Sequence, residues 1–308
     1  MSHLPVLLKE CIEGLQIRAD GIYVDGTYGR GGHCLEIAKR LTTGKVIAID
    51  QDEDAFAGAD GLLLEYRKNV ELVHGNFCDI SNLLLESGYR EVDGMLFDLG
   101  VSSPQLDSAH RGFSYMQDAV LDMRMDRSSN LTAKEIVNNW TESALKKIFY
   151  EYGEERYAAL IARAIIKKRQ EKTIETTFDL NAIIFSAIPA AARREAQHPS
   201  KRCFQALRIA VNDELGAIEK MLKLAPERLK KGGRICIISF HSLEDRLVKN
   251  AFIAGANGCS CPRDFPVCAC GFIPTLKIVT KKPITSGAEE LMDNPRARSA
   301  KLRIAQKI

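Results

Sequence analysis

Four positions in the first third of the chain carry side chains that could contact a bound cofactor: Asp25, Asp50, Phe77 and Asp98. Each lies at the end of a short apolar run, or just after it, and such runs are typical of buried strands. In a parallel sheet the carboxyl ends of the strands meet at one edge, where ligands bind. The four positions therefore predict one ligand site at that edge.

The residue types at this edge suit a nucleoside. Asp50 ends the second predicted strand, where a carboxylate can accept hydrogen bonds from both ribose hydroxyls. Phe77, followed by Asp79, could flank an adenine ring. Two structural alternatives remain open, because Asp50 could cap a helix that starts near Asp54 and Phe77 could belong to the core.

The segment between Asp25 and Leu35 predicts a strand, a glycine loop and a helix. Glycines at 26, 29, 31 and 32 let the backbone turn tightly and approach a ligand, while the first N–H groups of the helix face a negative group. Their spacing differs from the Gly-x-Gly-x-x-Gly pattern of pyrophosphate sites. The loop therefore favours a cofactor with an amine and a carboxylate, such as S-adenosylmethionine, although a plain turn is the alternative.

The hydrophobic pattern predicts the elements that position these residues. An amphipathic lead-in precedes strands at 22–25, 45–50, 70–74 and 92–98, which alternate with helices. Helical periodicity without a buried strand follows from 106 to 202. One long helix over 204–222, a Lys-Gly-Gly-Arg turn before a strand at 235–240, another helix and two closing strands complete the chain. We predict an α/β fold of three parts: residues 1–105, a helical insertion at 106–202, and residues 203–308.

Charge is balanced over the whole chain, so any nucleic-acid contact must be local. The 308 residues contain 43 Lys and Arg and 40 Asp and Glu, which gives a net charge of +3. Basic side chains are concentrated on the helical insertion, at Arg163, Lys167, Lys168 and Arg169, and in the tail that starts at Lys277. Both stretches are candidate RNA contacts, and both could equally be solvated surface.

Neither the start of the chain nor its apolar stretches predict membrane insertion. The first ten residues lack a basic start followed by a long apolar core, and the longest uncharged stretch, 180–192, is too short to span a bilayer. We therefore expect a cytoplasmic protein, in which cysteines are reduced, buried or metal-bound.

Four cysteines lie close together in a loop rich in Gly and Pro. They are Cys259, Cys261, Cys268 and Cys270. Four thiolates can close a tetrahedral structural zinc site, and the side chains of a Cys-x-Cys pair on an extended strand point the same way. The pairs are not the usual Cys-x-x-Cys, so free thiols or facultative disulfides remain alternatives. The distance in sequence from the cofactor edge favours a structural role.

Long motifs along the whole chain resemble one enzyme family. Two of them are Asp25-Gly26-Thr27-Tyr28-Gly29-Arg30-Gly31-Gly32-His33 and Ser239-Phe240-His241-Ser242-Leu243-Glu244-Asp245-Arg246, and others lie at 3–10, 48–50, 98–107, 111–114, 121–125, 152–156 and 294–299. Together they resemble the bacterial small-subunit (16S) rRNA cytosine-N4 methyltransferases, RsmH or MraW.

The resemblance implies a Rossmann-like class I methyltransferase sheet with an inserted helical substrate-recognition domain. The implied reaction is the S-adenosylmethionine-dependent methylation of a decoding-centre cytidine amine in 16S rRNA of the small ribosomal subunit. Carried over by position, the cofactor contacts are Gly31, Gly32, His33, Asp50, Phe77, Asp98 and Gln105. Asp98 is also our candidate catalytic residue, as the acceptor of the amine's N–H bonds.

One departure concerns the residue that stacks on the target base. Many amino-methyltransferases carry Asp/Asn-Pro-Pro-aromatic after the fourth strand, whereas this chain has Asp98-Leu99-Gly100-Val101. The stacking aromatic must then come from elsewhere, and Phe113 and Tyr115 are the candidates.

Three other classes of protein compete with this interpretation. A nicotinamide-dependent oxidoreductase would require the missing Gly-x-Gly-x-x-Gly. A DNA amino-methyltransferase performs the same chemistry and is disfavoured only by the resemblance. A non-catalytic zinc-bearing RNA-binding protein would have no use for the cofactor edge.

Overall fold

The structure is a computed structural model, and it describes residues 5–191, 193, 198–258, 261 and 270–308. The chain divides into two units. The sheet unit comprises Met1–Gly100 and Leu215–Ile308, and the helical unit comprises Val101–Glu214.

The sheet unit is built on seven strands in the order β3-β2-β1-β4-β5-β7-β6. The bounds are β1 Ile22–Asp25, β2 Lys45–Asp50, β3 Val70–His74, β4 Val92–Asp98, β5 Leu229–Ser239, β6 Leu276–Ile278 and β7 Lys301–Lys307. The first five strands run parallel, and β7 runs antiparallel to both β5 and β6. The strand order reverses between β1 and β4, which is where a doubly wound sheet leaves a crevice for a ligand. This confirms the predicted Rossmann-like class I methyltransferase sheet.

Helices cover both faces of the sheet, and strands β1, β2 and β4 are buried on both sides, whereas the edge strand β3 is partly exposed. The helices are α1 Leu8–Leu15, α2 Gly32–Ala38, α3 Ala59–Leu62, α4 Ile80–Glu86, α11 Glu214–Leu224, α12 Ser242–Asn257 and α13 Ala288–Asp293. Side chains alternate between the two faces along a strand. Tyr23 therefore packs with α1 and α2 on one face, while Val24 packs with α4 and α12 on the other.

The described part of the helical unit has its own core. Its helices are α5 Ser103–Asp107, α6 Ala133–Asn139, α7 Glu142–Glu151, α8 Ala158–Glu171, α9 Thr177–Ala187 and α10 Ser200–Asn212. Ile136, Phe149, Ile165 and Leu207 are buried together at its centre. Threonine side chains cap α6, α7 and α9 by accepting a hydrogen bond from a backbone N–H of the first turn.

The single helix predicted over 204–222 is wrong. Two helices, α10 and α11, are separated at Asp213, whose φ of 46° is in the left-handed region. Phe204 and Leu207 pack in the helical unit, whereas Ile218 packs in the sheet unit. The apolar period therefore continues across a change of unit, because the chain passes between the units at 100/101 and 214/215. The division into residues 1–105, 106–202 and 203–308 stays a prediction.

The predicted turn before the fifth strand is also wrong. Strand β5 already begins at Leu229 and carries Gly232, with φ of 83°, inside it. The pairing register with β4 shifts between Val92 and Gly94, so the two glycines that suggested a turn belong to an irregular stretch of the strand.

Candidate cofactor site at the strand ends

Three carboxylates stand side by side at the carboxyl edge of the sheet. Asp50, Asp25 and Asp98 end the adjacent strands β2, β1 and β4. Asp25 is paired in register with Ala48 on one side and Leu96 on the other, so each acid extends from the same end of its strand. The convergence predicted from the sequence is thus present in the sheet.

Asp25 is fully buried. Its Oδ1 accepts a hydrogen bond from the backbone N–H of Thr27 at 3.3 Å, the backbone of Cys34 also favours its charged form, and its Oδ2 is buried without a hydrogen bond of regular geometry. Burial raises the pKa of this carboxyl to about 7, and the charge of Asp50 adds to the rise. A buried carboxyl oxygen without a donor is costly, so the neutral form of this carboxyl is favoured.

Asp98 ends the strand next to that of Asp25 and is also largely buried. Three quarters of its side chain is buried, with 25% exposed, and its Oδ1 has no hydrogen-bond partner. Burial, followed by the charges of Asp25 and Glu244, raises its pKa to about 8. The hydroxyl of Thr27 accepts a hydrogen bond from the backbone N–H of Asp98 at 2.6 Å and so fixes the end of β4 against the glycine loop.

His33 presents a further acceptor to this group. Its Nε2 lies 3.0 Å from the carbonyl oxygen of Val6, and because a carbonyl can only accept, Nε2 carries the proton. Burial lowers the pKa of His33 to about 4, so the ring is neutral at pH 7 and its Nδ1 has a lone pair. That Nδ1 lies 3.9 Å from Oδ2 of Asp98. The two atoms are too far apart for a direct hydrogen bond.

Asp50 is engaged by the backbone on both oxygens. Oδ2 accepts from the N–H of Gly29 at 2.8 Å, and Oδ1 accepts from the N–H of Asp52 at 2.9 Å. Burial raises its pKa despite these hydrogen bonds. The short 3₁₀ helix Glu53–Phe56 is capped by Asp52 instead, so the capping alternative for Asp50 is wrong. Each carboxylate oxygen retains a second lone pair for a hydroxyl donor.

The glycine loop is fixed by packing as well as by its turns. Gly31 directly precedes α2 and has a φ of 73°, a left-handed conformation that favours glycine. A Cβ on Gly32 would lie 2.3 Å from Cγ of Pro5, and a Cβ on Gly26 would lie 2.3 Å from the Phe97 ring. Gly26 and Gly32 are therefore required by close packing, in addition to any approach of the backbone to a ligand.

The two other predicted cofactor contacts, Phe77 and Gln105, already interact with residues of the fold. Phe77 is half-buried, and its ring meets Phe97 edge to face at 5.9 Å, so it serves the core and still has an open side. Gln105 belongs to the helical unit, where its Oε1 accepts from the N–H of Ser102 at 2.9 Å in a capping box. This bond is local to α5.

The two candidate stacking aromatics differ sharply. Phe113 is only 6% exposed and lies in the core of the helical unit, so it has no face for a base. Tyr115 is half-buried and stacks on His198 at 4.6 Å. Of the two candidates, Tyr115 alone keeps accessible ring surface.

The zinc hypothesis cannot be placed in the fold. Cys259 and Cys268 lie outside the described residues, while Cys261 is half-buried and Cys270 is exposed. The zinc site therefore stays a prediction.

No helix among the described residues is long and apolar enough to cross a membrane.

The predicted basic patches are partly structural. The guanidinium of Arg169 donates to the carbonyl oxygens of Val137 and Trp140, and Lys168 pairs with Glu171. In the tail, Arg303 is buried and forms an ion pair with Asp245 at 2.6 Å. Lys167 remains exposed on α8. The number of basic side chains available to a partner is smaller than the sequence suggested.

Sequence reasoning missed Thr27 and did not commit to Asp25 as a site residue. Thr27 has no signal of its own, because a Thr in a glycine loop is common. Asp25 did carry a signal, since an acid that ends a strand buried on both faces requires a partner.

Comparison with known proteins gives a consistent result. The family model described as the MraW methylase family matches residues 1–308. A protein of Halothermothrix orenii named ribosomal RNA small subunit methyltransferase H is 53% identical, over 100% of this chain and 99% of its own. Proteins of the same name are 51% identical in Lachnospira eligens, over 100% and 98%, and 53% identical in Heliobacterium modesticaldum, over 99% and 98%.

Proposed function

The chain belongs to the MraW methylase family, and from this premise we propose that it methylates the exocyclic N4 amine of a decoding-centre cytidine in small-subunit (16S) rRNA. Its relatives are named for methyl transfer to small-subunit rRNA. A cytoplasmic location follows from this proposal, because that is where ribosomal subunits are found.

The observation that carries the proposal is the group of acceptors at the strand ends. Oδ2 of Asp98 and Nδ1 of His33 lie 3.9 Å apart, and Asp25 ends the neighbouring strand. A cation with N–H donors suits such a group of acceptors. S-adenosylmethionine has such an ammonium group and supplies a methyl group bonded to a positively charged sulfur. The residues present thus fit this cofactor.

Roles for individual residues follow from their positions. Asp50, at the end of β2, accepts from the ribose hydroxyls, and the half-buried Phe77 borders the adenine. The N–H groups of Gly32 and His33 at the start of α2 face the carboxylate of the cofactor, after the left-handed turn at Gly31. Gln105, in the first turn of α5, is the remaining proposed cofactor contact.

Asp98 is proposed to act on the target amine. The lone pair of a cytosine amine is delocalised into the ring, so an acceptor for its N–H bonds favours the pyramidal nitrogen that attacks a methyl group. The methylated nitrogen must then lose one proton. A carboxyl that is three-quarters buried, with one oxygen free of donors, suits both tasks. The base must leave its stack to reach this residue.

Nucleoside analysis tests the reaction directly. Small subunits or their rRNA, from cells lacking the enzyme, are incubated with the purified protein and methyl-labelled S-adenosylmethionine. We expect label in N4-methylcytidine at one position. Label in duplex DNA offered in parallel would favour the DNA amino-methyltransferase alternative, and label in another nucleoside would refute the N4 assignment.

A further inference from the structure

Residues 5–7, which we call the anchor segment, pack against the glycine loop of the candidate cofactor site. The carbonyl oxygen of Val6 lies 3.0 Å from Nε2 of His33, the second residue of α2. Pro5 lies so close to Gly32 that a Cβ on that glycine would come within 2.3 Å of Cγ of the proline. The anchor segment therefore contacts both residues whose N–H groups are proposed to face the carboxylate of the cofactor.

The backbone of Leu7 has a conformation that its residue type disfavours. Its φ of 51° and ψ of 35° are left-handed, where the Cβ of an L-residue crowds the neighbouring backbone. Such a conformation persists only where the surrounding contacts over-determine it. The contacts of Leu7 therefore determine whether the anchor segment keeps its position against the glycine loop.

Several of these contacts come from the last quarter of the chain. Oε1 of Glu290, in the first turn of α13, accepts a hydrogen bond from the backbone N–H of Leu7 at 2.7 Å. A carboxylate makes a stronger hydrogen bond than a neutral carbonyl does. The side chain of Leu7 is fully buried in the same core cluster as Ala297 and Ala300. The anchor segment is thus held by one polar contact and by apolar packing, and only the polar contact acts on the Leu7 backbone itself.

We propose that Glu290 is a positioning residue for cofactor binding: through the N–H of Leu7 it fixes the anchor segment, and through that segment it fixes Gly32 and His33 at the start of α2. This inference rests on the proposed function, which assigns those two residues to the cofactor. Glu290 acts on the site only through the anchor segment and takes no part in the chemical step.

The expected effect is therefore on cofactor affinity. Without the acceptor, the backbone of Leu7 relaxes towards conformations that are not left-handed, and only a fraction of the molecules keeps the anchor segment against Gly32 and His33. The apparent affinity falls by that fraction. The loss of one charge-assisted hydrogen bond of ordinary strength corresponds to a change of about tenfold in such a population.

Three variants of α13 separate the hydrogen bond from the rest of the side chain. Glu290→Ala removes the acceptor, and Glu290→Gln keeps an amide oxygen in its place. Glu289→Ala removes the adjacent, exposed acid of the same helix and is the matched control.

We expect Glu290→Ala to raise the Kd of S-adenosylmethionine, measured by calorimetry, and the KM for the cofactor by about tenfold. The kcat at saturating cofactor should stay within about twofold of the wild type, because the loss is one of binding. Glu290→Gln should recover affinity to within about threefold of the wild type, since a neutral acceptor replaces a charged one. Glu289→Ala should match the wild type in both constants.

Amide exchange in the wild type gives a measurement that does not depend on a variant's folding. If the anchored segment favours the cofactor, the cofactor must favour the anchored segment by the same factor. The N–H of Leu7, followed by NMR, should therefore exchange about tenfold more slowly when S-adenosylmethionine is saturating.

The outcomes separate this inference from the function beneath it. Wild-type affinity in Glu290→Ala, an equal loss of affinity in Glu290→Ala and Glu290→Gln, or an exchange rate of the Leu7 N–H that the cofactor does not change would each overturn the inference. In all three cases the wild type still binds S-adenosylmethionine, and the methyltransferase assignment stands. If the wild type itself does not bind S-adenosylmethionine, the proposed function fails.

Discussion

Asp98 is the residue whose protonation the proposed chemistry requires to change. Burial raises its pKa to about 8, so the carboxyl is largely protonated at pH 7 and must be ionised before it can accept a proton. Asp98→Ala and Asp98→Asn should each lower the single-turnover rate of methylation at saturating cofactor about a hundredfold or more, the usual size of acid–base assistance. Asp20→Asn is the control. A near-normal rate would transfer the role of acceptor to a backbone carbonyl of residues 99–102.

The pH profile supplies a second measurement on the same residue. Because the active form is the carboxylate, kcat/KM for the cofactor, which reports the free enzyme, should fall as the pH drops from about 8 through about 7. The kcat profile reports the complex, where a bound cation stabilises the carboxylate, so its limb should lie at lower pH. Superimposable profiles would contradict a charge-dependent pKa.

Asp50 is predicted to contribute to cofactor binding rather than to chemistry. A charge-assisted hydrogen bond to a ribose hydroxyl contributes on the order of 1.5–3 kcal/mol, so Asp50→Ala should weaken binding of S-adenosylmethionine roughly tenfold to a hundredfold. The carboxylate also accepts from Gly29 and Asp52, so the melting temperature must be measured alongside. Unchanged affinity in a folded variant would refute the ribose contact.

At the scale of elements, the strands could be predicted from the sequence, whereas the positions where the chain passes from one unit to the other could not. The bounds of β1, β2 and β4 match the predicted runs because buried parallel strands are continuous apolar stretches, and the edge strand β3 also matches although it is partly exposed. The split between α10 and α11 leaves no mark in the apolar period, since both helices bury one face, only in different cores.

The sequence shows the acids of the candidate site more clearly than the groups that hold them in place. Acids that end buried strands are visible in a sequence, whereas the hydroxyl of Thr27 and the carbonyl of Val6 become relevant only when distant segments meet. The sequence predicts that the glycines allow a ligand to approach, but the contact of Gly32 with Pro5 depends on tertiary packing. A single sequence carries no periodic signal for such contacts.

The cysteine loop is an element with a test of its own. If Cys259, Cys261, Cys268 and Cys270 hold a structural zinc ion, the purified protein should contain about one equivalent by elemental analysis. Cys261→Ser should release the metal and lower the melting temperature, because binding free energy is also folding free energy. Cys78→Ser, a half-buried cysteine far from the loop in sequence, is the control. Metal-free protein of normal stability would refute the hypothesis.

At the scale of the whole molecule, the two units have separate cores and separate proposed tasks. The sheet unit carries the acidic strand ends, while the helical unit carries exposed basic side chains on α8. With a net charge of +3, the chain does not attract RNA through its overall charge. Recognition of a ribosomal particle then depends on which basic groups are not already used within the fold.

Arg163 and Lys167 are the basic pair on α8 best placed to test this idea. They are one helical turn apart and exposed, and Arg163 has only a long contact of 3.8 Å to Glu142. Arg163→Ala with Lys167→Ala should weaken binding to small subunits and reduce the slope of log K against log salt by about 1.4–1.8, because two fewer counterions are released. Cofactor affinity should not change. Arg169→Ala is the contrasting variant, since its guanidinium binds two carbonyls within the unit: it should lower the melting temperature with little effect on the slope. A double variant that binds subunits with the wild-type salt slope would show that this face of α8 is solvated and makes no contact with RNA.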